Sequence, residues 1–241
     1  MLPLRDTIHS YTLPIVTWLL IGLNTIVFLI EISLSSPALN HFVQIFALIP
    51  ANLHLDNPSL LLDNPLPLMT LFTHMFLHGG WFHLLSNMWI LFIFGDNVED
   101  RMGSIRYLIF YICGGLAAGI LQTLVSPLSE VPALGASGAI AAVLGAYFLL
   151  FPRASVTTLI PMIFVPLFVD IPAVVYLGFW FVSQLFSGIA SLGIANASNM
   201  GGVAWFAHIG GFIFGLLFAR LFIPRRHPAY IRQYPDEYYP W

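Results

Sequence analysis

Residues 203–223 read VAWFAHIGGFIFGLLFARLFI, a run long and apolar enough to cross a bilayer and interrupted early by one histidine, His208. A membrane-crossing helix needs roughly 20 mainly apolar residues. Along this run Ala207, Gly211, Gly215 and Ala219 recur every four positions. Such a strip of small side chains lets a second helix approach closely. His208 flanks the strip, and an ionisable side chain inside a span is costly enough to be a functional candidate.

The rest of the chain agrees with a lipid environment. Of 241 residues, 59% are hydrophobic and only 8% are charged, with a net charge of −3, against about 25% charged in soluble domains. Mean hydropathy is +0.87. These values exclude an ordinary soluble domain, a disordered chain and a nucleic-acid binder, which would need a basic surplus. The one cysteine, Cys113, lies in an apolar stretch, so neither a disulfide framework nor a multi-thiolate metal site is expected.

Six spans are predicted, at 15–34, 81–95, 105–125, 137–151, 171–192 and 203–223. The first is too long for a signal peptide's apolar region, about 7–15 residues, and reads as a retained span. Ser104 is placed as the N-cap of span three, and Asp170 with Pro172 as the start of span five. The basic residues are all arginines: Arg5, Arg101, Arg106, Arg153, Arg220, Arg225, Arg226 and Arg232. In a six-span arrangement all fall on one side, which puts both termini in the cytoplasm. The apolar segment 156–169 holds Pro161 and Pro166 and reads as an interfacial or partly embedded connector. Runs 46–53 and 68–78 of the long outer loop 35–80 read as short helices at the membrane surface. The fold expected is all-α: a short cytoplasmic N-terminus (1–14), a six-helix bundle (15–223) and a polar cytoplasmic tail (224–241).

Four polar residues fall toward the outer half of the spans: His83 and Asn87 in span two, Ser137 opening span four, and His208. Ser137 lies in GASGA (135–139), where small neighbours permit a tight turn and a helix N-terminus offers unpaired N–H groups. Those groups could stabilise an oxyanion formed when the serine attacks a carbonyl. The same stretch also reads as a packing patch with a serine cap. Ser137, Ala141 and Gly145 recur every four residues, so this face can meet the strip beside His208 and bring the imidazole to the hydroxyl as a general base. With no acidic residue early in a span, the pair would be a dyad. His83 and Asn87, four apart, share a face and could donate to an oxyanion or simply hydrogen-bond between helices. His74 and His78 are read as loop anchors, because no HExxH motif or nearby carboxylate supports zinc. Glu99, in the polar corner 94–103, is expected to pair with Arg101 or Arg106, and Gln184 with Trp180 in span five could pack or face a gate.

HLLSN (83–87), GASGAI (135–140) and AHIGG (207–211), in this order on alternating spans, resemble the rhomboid intramembrane serine proteases. FALIPAN (46–52), THMFLHGGWFH (73–83) and FGDNVEDRMG (94–103) add to the likeness. The resemblance implies a prokaryotic six-span type with Ser137 as nucleophile and His208 as general base. It implies oxyanion donors at His83, Asn87 and the Ser137 N–H, and a small-residue approach at Gly135. It also implies a gate and cap from span five and loop 193–202, with Trp180, Gln184 and Trp205 as substrate or gate residues. The activity implied is endopeptidase cleavage of single-span membrane substrates through an acyl-enzyme, in a plasma membrane, with no metal or cofactor. Two departures stand out: Met69-Thr70 replaces the Trp-Arg pair of many rhomboids, and Ala141 replaces the aromatic residue many stack on the histidine. Something else must then orient His208. The alternatives are a non-catalytic membrane-helix binder or chaperone on the same scaffold, and a proton-relay transporter, for which the related halves often seen in transporters are lacking.

Overall fold

The computed structural model describes residues 1–54, 57, 59–60, 64–161, 166–192 and 203–224. Elements run in the order β1 (Leu2–Asp6), α1 (Ile15–Ser33), α2 (Ser36–Phe46), α3 (Leu66–Thr73), α4 (Trp81–Met102), α5 (Ser104–Val125), α6 (Ser137–Leu150), β2 (Ser155–Ile160), β3 (Leu167–Pro172), α7 (Ala173–Leu192) and α8 (Trp205–Phe222). Among the described residues four helices, α1, α5, α7 and α8, are long and apolar enough to cross a membrane. On α1, Val16, Leu20, Asn24, Phe28 and Glu31 are buried, while Leu19, Leu23, Ile26 and Ile30 are exposed. One face therefore meets the bundle, and the other is apolar and open, as lipid contact requires.

Helix α6 is the axis of the bundle, buried continuously from Gly138 to Tyr147. Its 14 residues extend only about 21 Å at 1.5 Å per residue, short of the roughly 30 Å hydrocarbon core. It packs most extensively on α8. A Cβ on Gly211 would collide with the Gly138 carbonyl, one on Gly215 with the Ala142 carbonyl, and one on Gly145 with the Phe212 carbonyl. The helices thus touch backbone to backbone. A Cβ on Gly114 of α5 would strike the Ala142 side chain, so a third helix also closes tightly on α6, here against a methyl group.

Several expectations are corrected. The fold is mostly helical but not all-α: β1, β2 and β3 form an antiparallel sheet in that order. Leu2 pairs with Leu159 and Asp6 with Val156, while Ser155 pairs with Pro172 and Ile160 with Leu167. Within 156–169, then, the described residues lie largely in a hairpin, because β-branched Val156, Thr157 and Thr158 suit a strand and β1 supplies an edge to pair with. Asp170 and Pro172 belong to β3, and the helix starts at Ala173. Gly103, at φ 79°, stands at the N-cap of α5, and Ser104 is the first helical residue. Helix α4 continues through the 94–102 corner to Met102. Within 46–53 a short 3-10 helix runs over Pro50–Leu53, whereas Ala47, Leu48 and Ile49 before it are extended and buried, with Leu48 in a β-bridge to Ala133. The tail beyond residue 224 and the loop 193–202 lie outside the described residues.

The N-terminal segment is tied to the bundle by polar contacts. Asn97 Nδ2 donates to the Asp6 carboxylate over 2.8 Å, and Tyr147 Oη donates to it over 2.5 Å. Glu99 accepts the α1 backbone N–H groups of Val16 at 3.0 Å and Thr17 at 2.8 Å, and the Ser104 hydroxyl at 2.7 Å. Glu99 thus has the structural role expected of it, and it fills that role by capping α1 from another helix. Burial pushes the Asp6 carboxyl up to about 7, with the Asp96 charge adding and the Tyr147 bond opposing. A carboxyl raised in the fold favours folding while protonated, so its contribution is lost as pH rises from the ordinary carboxylate range through about 7. Asp6→Asn should therefore raise the thermal midpoint in detergent above pH 7 and change it little at pH values near 4. Gly215→Val should lower the midpoint at every pH, at a cost of about 1–3 kcal/mol, because the Ala142 backbone cannot yield.

Candidate active site

Ser137 is the first residue of α6, after Ala136 at the N-cap. The first N–H groups of a helix have no intrahelical acceptor, so the serine stands beside free donors at the positive end of the helix dipole. Its Oγ lies 2.8 Å from His208 Nε2. The small-residue contact of α6 and α8 creates this proximity, since Gly138, next to Ser137, is bordered by Ala207, next to His208, and by Gly211 one turn on.

The other face of the imidazole meets α7. His208 Nδ1 lies 2.8 Å from Gln184 Oε1. The Trp180 ring, one turn earlier, stands 5.9 Å from the imidazole, centroid to centroid, tilted by 35°. Trp205 approaches edge-on at 6.2 Å. Gln184, which the sequence leaves open to packing or a gate, and Trp180 and Trp205, expected as substrate or gate residues, all lie against the histidine. With Oε1 as acceptor, Nδ1 carries the proton, and Nε2 presents a lone pair to the serine hydroxyl.

Helix α4 supplies the third wall. The Gly79 N–H donates to His83 Nδ1 at 3.4 Å, which leaves the proton on Nε2. That atom faces Gly135, where a Cβ would come within 2.7 Å of it. Gly135 has φ 127°, a region open to glycine, so both its conformation and its missing side chain are needed. Its N–H donates to the His74 carbonyl at 2.9 Å, fixing the loop before Ser137. Asn87 Nδ2 donates to His78 Nε2 at 3.1 Å. Burial, with the nearby His83 charge second, pulls His78 down to about 4, so its ring is neutral and able to accept. His78 is thus more than a loop anchor.

A buried acid in α1 completes this support. The His78 N–H donates to Glu31 Oε2 at 3.1 Å. Glu31 escaped the sequence reading, although an acid within an apolar span is itself a signal. The side chains surround a cavity of about 550 Å³ bordered by His83, Asn87, Ser137 and His208. A second chamber of about 190 Å³ adjoins it, walled by Ile140, Leu144, Tyr176 and Trp180. The arrangement offers a hydroxyl, a proton acceptor and several N–H donors around one cavity.

Residues 66–225 match the rhomboid domain family. The chain belongs to the rhomboid family. It is an integral membrane protein with apolar spans. It is 30% identical to RHOMBOID-like protein 4 of Arabidopsis thaliana over 162 residues, covering 65% of this chain and 34% of that protein. It is 34% identical to the chloroplastic Rhomboid-like protein 11 of the same plant over 118 residues, covering 48% of this chain and 39% of that protein. It is 32% identical to Rhomboid-like protease 5 of Toxoplasma gondii over 154 residues, covering 60% and 15% of the two. The chain spans about a third of the length of the first of these, 34%. The family thus includes proteins named as proteases.

Gly135→Ala should displace His83 and strain the loop before α6. The expected loss is about 1–3 kcal/mol of stability, read as a lower thermal midpoint in detergent, together with loss of the Gly79–His83 contact in a determined structure.

Proposed function

We propose that this rhomboid is an intramembrane serine endopeptidase that cleaves single-span membrane proteins in or near their transmembrane helices. The observation that carries the reading is the 2.8 Å contact of Ser137 Oγ with His208 Nε2, at a helix N-terminus and beside a cavity. Ser137 Oγ attacks the peptide carbonyl carbon and passes its proton to His208 Nε2. The carbonyl oxygen, now negative, receives hydrogen bonds from the Ser137 N–H, His83 Nε2–H and Asn87 Nδ2–H. As the tetrahedral intermediate collapses, the C–N bond breaks and the imidazolium protonates the leaving amine. Water then gives a proton to His208 and attacks the acyl-enzyme, the imidazolium returns the proton to Ser137 Oγ, and the new carboxyl end departs.

The short α6 supports this reading, because a helix that begins below the membrane surface leaves room for water above Ser137. A helical substrate hides its carbonyls, so the scissile segment must unwind; helix-destabilising residues there should speed cleavage. In this proposal α1, α4, α5, α6, α7 and α8 are six spans of one catalytic unit, 15–223, with the long 35–80 loop outside. The arginine distribution supports cytoplasmic termini. The chemistry calls on neither metal nor cofactor.

The test is cleavage of a single-span substrate in proteoliposomes. Ser137→Ala and His208→Ala should each reduce kcat/KM by about 10³-fold or more, with the thermal midpoint little changed. Asn87→Ala should cost about 10- to 1,000-fold in kcat. Undiminished cleavage by Ser137→Ala would overturn the reading and favour a helix-binding role on the same scaffold.

A further inference from the structure

His208 must keep its proton on Nδ1 if Nε2 is to accept one from Ser137. A neutral imidazole in an apolar bundle can hold its proton on either nitrogen. With the proton on Nε2, it would donate to the serine oxygen instead of accepting from it. The neighbours of Nδ1 therefore decide whether the pair is competent. Gln184 of α7 is buried and places Oε1 2.8 Å from Nδ1.

The orientation of that amide is set by its own helix. The Ser183 hydroxyl donates to the Trp180 carbonyl at 2.6 Å, so its oxygen is left as an acceptor. Gln184 Nε2 donates to that oxygen at 2.9 Å and to the Trp180 carbonyl at 3.3 Å. With the NH₂ end engaged by acceptors, the carbonyl end faces the histidine. The Trp180 ring then bounds the imidazole where Ala141 of α6 offers no aromatic surface.

We propose that Gln184 is a positioning residue that holds His208 in the tautomer able to take the Ser137 proton. This rests on the serine-endopeptidase reading above. The bond to Nδ1–H strengthens when the ring becomes an imidazolium, so it stabilises the transition state more than the ground state. A neutral amide does this without the desolvation that a carboxylate would suffer inside a span. Because the amide sits on α7, correct seating of that helix becomes a condition for an active histidine. Among the described residues, the other titratable groups near His208 are His83 of α4 and Tyr176 of α7.

The experiment uses the full chain in proteoliposomes, with Gln184→Met, Gln184→Glu and Ser137→Ala. It reads kcat and KM on a single-span substrate across pH, and the rate of labelling by a fluorophosphonate probe. Gln184→Met should lose about 10- to 100-fold in kcat and in labelling rate, equivalent to one hydrogen bond to a charged group, with KM within about twofold of wild type. Gln184→Glu keeps an acceptor at the same place. It should recover most of kcat and move the acid limb of the pH profile upward by about one unit.

A wild-type kcat and pH profile in Gln184→Met would overturn the proposal. So would a rise in KM alone, a loss of rate that only follows loss of folded protein, or a Gln184→Glu variant as slow as Gln184→Met with an unmoved profile. Failure of the two readings is distinguishable. Cleavage by Ser137→Ala removes the serine mechanism itself, whereas an inert Ser137→Ala beside a fully active Gln184→Met removes only the role of Gln184.

Discussion

Helices α6 and α8 meet without side chains between them. Gly211 lies against the Gly138 carbonyl, Gly215 against the Ala142 carbonyl, and Gly145 against the Phe212 carbonyl. In a bilayer, helices gain little from the hydrophobic effect on association, and close van der Waals contact takes its place. The rest of the site depends on this approach. A wider gap would leave His208 too far from Ser137 to share a proton, and α5, which closes on Ala142 through Gly114, would lose its seat.

Around that axis each polar side chain is held by another that the chemistry does not consume. His83 is held by the Gly79 N–H, Asn87 by His78, the His78 backbone by Glu31, and His208 by Gln184. The pattern has one physical cause. An unpaired polar group in an apolar interior is expensive, so most donors and acceptors of a buried site are given partners, although His78 Nδ1 is buried here without one among the described residues. At the opposite end of α6, the three-stranded sheet and Glu99 perform the same service for backbone groups of the N-terminal segment.

Much of this was legible in the residues. Run length and hydropathy located helices at the six predicted stretches, and four of those helices are, among the described residues, long and apolar enough to cross a membrane. The four-residue spacing of small side chains marked the faces that meet. The hairpin at β2 and β3 was not legible, because a short apolar run with two prolines reads equally as an interfacial segment. Strand pairing depends on β1, about 150 positions away along the chain. Glu31 carried a usable signal that went unread, a carboxyl in an otherwise apolar span. Gln184 was noticed but put to a different use, because no local pattern says which neighbouring helix a glutamine will face.

Composition and periodicity were enough by themselves to determine a helical membrane protein with Ser137, His208, His83 and Asn87 as the polar residues to watch, and the motifs around them carried the resemblance to the rhomboid family. These are properties of length, polarity and spacing along one chain. Tertiary structure alone decided that Gln184 and Trp180 surround the imidazole, that His78 and Glu31 brace Asn87, and that a small sheet ties the N-terminus to the bundle. Each of those contacts joins elements far apart in sequence, and the packing of whole helices, not local preference, selects which polar groups meet.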